Sequence, residues 1–174
     1  MSKHCRRDHH NSSCRTVNLI FPIWGPGFRE PVSIAKRSTR GGTPTFIARV
    51  SSIPYVNAWT KAGVMIGSSL SASAAQAFML VAASPTKGVP FQRRTSDGNT
   101  SVSTSGSQST APRWVKLVRA GNVISGYESA DGVNWTLVGS DTFAMGQSVF
   151  IGLAVSSHVT GTNATATFDN VSIQ

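Results

Sequence analysis

Acidic residues are scarce. The 174-residue chain has seven Asp+Glu against 16 Lys+Arg, and only Glu30 and Glu128 are glutamates. That scarcity leaves no obvious oxygen-rich cage for calcium. It also restricts any glycosidase-type pair of carboxylates to Asp97, Glu128, Asp131, Asp141 and Asp169 after residue 42. Cysteine occurs twice, at Cys5 and Cys14, which makes no disulfide framework. No apolar run approaches the roughly 20 residues of a membrane-spanning helix. No Gly-x-Ser-x-Gly elbow, helix-turn-helix, zinc finger, RNP-type aromatic pair or Gly-x-x-Gly loop occurs either, so the common signatures of serine hydrolases and nucleic-acid binders are missing.

What is abundant is unevenly spread. The formal charge is +9, but residues 1–40 hold eight basic groups (Lys3, Arg6, Arg7, Arg15, Arg29, Lys36, Arg37, Arg40) and two acids (Asp8, Glu30), a net of +6. Only +3 remains for the rest of the chain. The charge is therefore a property of a basic leader, residues 1–42, and gives no reason to expect a nucleic-acid partner. The leader also carries His4, Cys5, His9, His10 and Cys14. Their spacing lacks the knuckles that fix a zinc tetrahedron, so no metal site is expected. The apolar stretch Val17–Phe28 is interrupted by Asn18, Pro22 and Pro26 and has no small-x-small cleavage site after it. It reads poorly as a signal peptide. The leader is expected to be disordered or to supply divergent first strands.

From residue 43 the pattern changes to short runs of β-type residues divided by turn formers. Strands are expected near 45–53, 60–66, 76–82, 89–95, 101–105, 113–119, 123–128, 134–139, 149–157 and 163–173. Turns such as Asp97-Gly98-Asn99, Ala120-Gly121-Asn122 and Asp131-Gly132 lie between them and tolerate positive φ. No stretch has the 3.6-residue apolar stripe of a helix. Many short strands at this spacing predict an antiparallel sandwich. Alternation puts Phe46, Ala48 and Val50 on one face and Ile47, Arg49 and Ser51 on the other.

Several segments carry a resemblance: Asn57-Ala58-Trp59-Thr60-Lys61-Ala62-Gly63-Val64-Met65-Ile66, Phe91-Gln92-Arg93-Arg94-Thr95, Trp114-Val115-Lys116-Leu117-Val118-Arg119, Ser129-Ala130-Asp131-Gly132-Val133-Asn134-Trp135, Gly152–His158 and Ala166–Val171. In this order they resemble a small bacterial domain of the concanavalin A-like lectin/glucanase superfamily over residues 43–174. The resemblance implies an all-β, two-sheet antiparallel jelly roll. It further implies a non-catalytic module of a secreted or cell-surface protein that binds or attaches to polysaccharide. Where the family usually has Arg-Glu, this chain has Gly67-Ser68, so any ligand contact of those charges is absent. If the leader does not belong to the fold, the strand ending at Ile173 has an open edge suited to self-association.

The candidate ligand-binding residues are Trp59, Lys61, Gln92, Arg94, Trp114 and Lys116. Each Trp shares a face with a Lys two positions on, and Gln92 shares one with Arg94. An aromatic platform ringed by polar groups suits a sugar; the same composition also describes a solvated outer sheet with snorkelling cations. Ser129, Asp131 and Trp135 form an Asp-box-like turn one residue short of the usual spacing, a structural feature in which Asp accepts backbone N–H bonds and Trp packs beneath. Glu128 and Asp131 straddle a strand–turn junction and do not suggest a hydrolytic pair. His158 with Asp169 does not suggest a triad. No cofactor is expected. A structural or self-assembly domain is the competing reading, and a glycoside hydrolase the remote one.

Overall fold

The computed structural model describes residues 43–174, together with the backbone of residues 17–20 and 33–34. The metal-site and signal-peptide readings of the leader lie outside the described residues. Two short leader strands, β1 (Val17–Ile20) and β2 (Ser33–Ile34), precede ten in the body. These are β3 (Thr45–Ser52), β4 (Lys61–Gly67), β5 (Gln76–Ala82), β6 (Phe91–Arg94) and β7 (Val102–Thr104). They continue with β8 (Arg113–Ala120), β9 (Val123–Ser129), β10 (Thr136–Thr142), β11 (Phe150–Ser156) and β12 (Thr165–Ile173). The described residues contain no helix, so none is long and apolar enough to cross a membrane.

The strands form two antiparallel sheets packed face to face. The first has the order β1-β12-β3-β8-β9-β10 and the second β2-β11-β4-β5-β6-β7. All ten expected body strands are present, with ends moved where local chemistry decides. The run expected from residue 134 begins at Thr136 because the Asp131 turn holds Asn134. The run expected at 89–95 is shortened to Phe91–Arg94, after Pro90, which has no N–H for a ladder.

Period-2 alternation places the core. On the first sheet Phe46, Ala48 and Val50 of β3 face inward with Val115 and Leu117 of β8. On the second, Ala62, Val64 and Ile66 of β4 pair with Val81, Met79 and Ala77 of β5, and all six are fully buried. The largest fully buried side chains include Phe46, Phe91 and Phe168. Phe91 of the second sheet presses on the first sheet at Gly126: a Cβ there would lie 2.6 Å from the Phe91 ring and 2.9 Å from Met79 Sδ. The sheets approach this closely because β9 has no side chain at that point.

The edges are short or irregular. β7 has three residues, and the β9–β10 ladder slips between Leu137 and Gly139. β12 pairs along one side with β3; on the other side β1 covers Thr165–Phe168. Among the described residues no strand continues that cover over Asp169–Ile173, and Ile173 is exposed.

Candidate functional site

Alternation and register place Lys61 and Met65 of β4 and Gln92 and Arg94 of β6 on the face of the second sheet turned away from the core, with Phe78 between Met65 and Gln92. Trp59 stands at the entrance to β4. Its turn is held by side chains: Asn57 Oδ1 accepts the Trp59 backbone N–H at 2.8 Å, and Thr60 Oγ1 accepts that of Asn57 at 2.8 Å. Thr60 is fully buried. Its hydroxyl donates to the Ser157 carbonyl at 2.9 Å, and its own carbonyl accepts Ala83 N–H at 2.7 Å. One residue thus joins the loop before β4, the loop after β5 and the end of β11.

Those three loops bring a cluster together. Lys61 Nζ lies 5.9 Å from the Trp59 ring centroid. Its side chain crosses β5 to donate to Gln92 Oε1 at 3.2 Å. From the loop after β5, Lys87 Nζ stands 4.8 Å from the same ring. Its turn is closed by Gly88 at φ 64, whose N–H reaches Ser84 O at 3.1 Å. From the end of β11, the His158 ring lies 6.4 Å from Trp59, tilted by 41°. His158 sits at φ 61, an uncommon conformation for a residue with a Cβ. Burial pushes the Lys61 ammonium below its ordinary value, because a charge loses solvation faster than Gln92 replaces it. Burial, and then the Lys61 charge, push the His158 imidazole down as well.

The six candidate residues divide between opposite faces of the molecule. Trp59, Lys61, Gln92 and Arg94 share the second sheet. Trp114 and Lys116 lie on β8 in the first. Arg94 is committed to its own loops, donating to the carbonyls of Asn99, Ala72 and Ala74. Lys116 Nζ lies 4.6 Å from the Tyr127 ring and 4.1 Å from the Trp135 ring, which leaves it between two aromatics. Lys87 belongs in the cluster with Trp59, although it gave no signal in a sequence where it is one turn residue among many. His158 signals only through the loops that carry it.

In the turn after β9, Asp131 Oδ1 accepts the backbone N–H of Val133 and Asn134, both at 2.8 Å, and the Ser129 hydroxyl at 2.9 Å. Asn134 Nδ2 donates to Oδ2 at 2.8 Å. The Asn134 and Val133 backbone bonds, with the side-chain bonds of Asn134 and Ser129, hold the carboxyl well below the usual carboxylate range. The ring directly under this turn is Trp114: a Cβ on Gly132 would lie 2.7 Å from it. Trp135 instead carries Lys116.

Glu128 and Asp131, not expected to face one another, both line a cleft of about 470 Å³ with Ser107, Arg113 and Thr136. Their oxygens are already occupied. Buried Glu128 accepts Ser107 N–H at 2.7 Å, the Ser107 hydroxyl, and Arg113 Nε at 3.4 Å. Asp169 pairs with Arg49 at 3.0 Å on the first sheet, while His158 lies two residues past β11 of the second.

The sequence matches no family model and no curated protein. Solved structures match the fold. A GH43 protein from Bacillus licheniformis (mutant K247S) aligns with TM-score 0.70 and 13% identity over 88% of this chain and 31% of its own. The chain thus spans under a third of that protein's length. A carbohydrate-binding module from Bacillus subtilis, CBM66, aligns with TM-score 0.57 and 13% identity over 94% of this chain and 97% of its own. A functionally unknown protein from Saccharomyces cerevisiae gives TM-score 0.60 and 15% identity over 91% and 86%. Identities this low describe a common two-sheet sandwich.

Proposed function

We propose that this chain is a non-catalytic glycan-binding module of the concanavalin A-like kind, carried on an exported protein, and that Trp59 is its sugar platform. The observation that carries this reading is the convergence of three loops on Trp59. They place Lys61, Lys87 and His158 around one half-exposed ring, with Gln92 within reach of Lys61. An aromatic ring with polar groups close beside it suits a pyranose: its C–H face stacks and its hydroxyls find hydrogen-bond partners. A carbohydrate-binding module of the same fold, matched over nearly the full length of both chains, supports the same conclusion.

Hydrolysis fits less well. A glycosidase needs one carboxyl that holds a proton near the working pH, and Asp131 is held in the opposite direction. Glu128 is bound on both oxygens. The competing reading, a self-assembly domain, draws on the exposed Ile173 end of β12; a clean monomer at high concentration in size-exclusion chromatography argues against it.

Affinity electrophoresis through gels containing a panel of plant, algal and bacterial polysaccharides tests the proposal. At least one polymer should retard the protein. Trp59→Ala should weaken retention tenfold or more, equivalent to about 1.4 kcal/mol, and Trp114→Ala on the opposite face should not. If no polymer retards it, or if Trp59→Ala changes only the melting temperature, the reading is wrong.

A further inference from the structure

Resting on the reading that this face binds glycan, we infer that its ligand is acidic: a sugar bearing a carboxylate or sulfate ester, stacked on Trp59 with its anion between Lys61 and Lys87. Lysine is a donor with no acceptor capacity. Of the side-chain amide oxygens nearby, Gln92 Oε1 already accepts from Lys61 and Asn57 Oδ1 already accepts the Trp59 backbone N–H. A neutral sugar presents hydroxyls that must both give and receive protons, and protein sites for such sugars need acceptors. This site is weighted toward charged donors. Its chemical complement is a group made only of acceptor oxygens, which a carboxylate or sulfate provides.

The charge distribution points the same way. Among the described residues each acid is engaged elsewhere. Glu128, Asp141 and Asp169 pair with Arg113, Arg93 and Arg49. Asp97 holds the Ala75 N–H and the Ser68 hydroxyl, and Asp131 is bound up in its own turn. None forms an ion pair with Lys61 or Lys87. The body's arginines spend their donors on carboxylates or loop carbonyls, and Lys116 lies over aromatic rings. Among the described residues Lys61, Lys87 and Lys116 have no carboxylate partner; Lys116 lies between Tyr127 and Trp135 on the first sheet, and the other two stand beside Trp59. An ammonium half out of water and facing only a neutral amide is poorly compensated, and an arriving anion supplies what is missing. His158, set at φ 61 beside the same ring, brings one further imidazole N–H on a third side.

The full chain is titrated with polygalacturonate, kappa-carrageenan, neutral galactan and poly(U), at 50 and 500 mM NaCl. One or both acidic polysaccharides should bind at least tenfold more tightly than neutral galactan. That preference should shrink in high salt. Binding to polygalacturonate alone assigns a carboxylate, to carrageenan alone a sulfate, and to both an anion site indifferent between them. Lys61→Met and Lys87→Met should each weaken acidic binding about tenfold; both keep the aliphatic stem, and Lys87 lies in a surface turn, so at least one variant folds. Neutral galactan binding as tightly through Trp59 overturns the acidic assignment and leaves the glycan-binding reading standing. No binding to any of the three polysaccharides overturns both. Equal affinity for poly(U), or Lys→Met variants that bind like the parent, reduces the effect to general attraction of polyanions and overturns the assignment.

Discussion

Substituting Gly126 by alanine tests the packing on which the whole sandwich depends. The added methyl would sit 2.6 Å from Phe91 Cδ2 and 2.9 Å from Met79 Sδ, and both neighbours are fully buried. Gly126 does not have positive φ, so alanine brings no backbone strain and gains about 0.5–1 kcal/mol from the stiffer unfolded chain. Overpacking costs about 1–3 kcal/mol. With both contacts under 3.0 Å and both neighbours fully buried, the cost falls in the upper half of that range, and the net expectation is a loss of about 1–2.5 kcal/mol. Phe91→Leu alone opens space against β9 and should lose a similar amount. The double variant should then recover part of the damage, with a coupling of about 1 kcal/mol, because the smaller side chain admits the methyl. Urea denaturation of the four proteins, compared at constant slope, measures this. Alanine at 126 that leaves stability unchanged or raises it, or losses that simply add in the double variant, would refute the claim that the Phe91 ring rests on the β9 backbone.

Two predictions concern pH. Lys61 holds its proton less tightly in the folded chain than its ordinary 10.5 implies, so the charge opposes folding at neutral pH and stability rises as pH approaches 10.5. Lys61→Met should therefore be as stable as the parent or more so at pH 7. The parent should close that gap between pH 7 and 10.5 in thermal melts; a variant weaker at every pH contradicts it. The Asp131 carboxyl is displaced the other way, so its stabilisation is present above the ordinary 3.8 and is lost as pH falls below that. Asp131→Asn should lower the melting temperature at pH 7, and the difference should diminish toward pH 2.5. A constant difference assigns the turn's stability to something other than the carboxylate charge.

The strands were legible because β-rich runs, with the two-residue period where one face is buried, and glycine-bearing turns are local signals. Phe46-Ala48-Val50 reveals its buried face without any knowledge of what covers it. The same period put Lys61 on the face that also carries Gln92 and Arg94. It could not say which sheet a strand joins, and Trp114 and Lys116 consequently lie on the far side of the molecule. Arg94 reads as a free cation until the loops around Ala72 and Asn99 close on it. Lys87 and His158 are separated by about seventy residues and meet only because β11, β4 and β5 are neighbours. The 129–135 turn was visible as a motif, but the ring beneath it comes from β8, which local spacing cannot reveal.

The Thr60 hydroxyl is fully buried and meets no ligand itself, yet it bears on affinity. By tying Asn57, Ser157 and, through its backbone, Ala83, it fixes the loops that present Trp59, Lys87 and His158 before any ligand arrives. A recognition surface made of three independent loops would lose conformational freedom in each on binding, about 0.5–1.5 kcal/mol for every side chain immobilised. Here most of that ordering is completed during folding, and the contacts made to a ligand appear more fully as binding free energy.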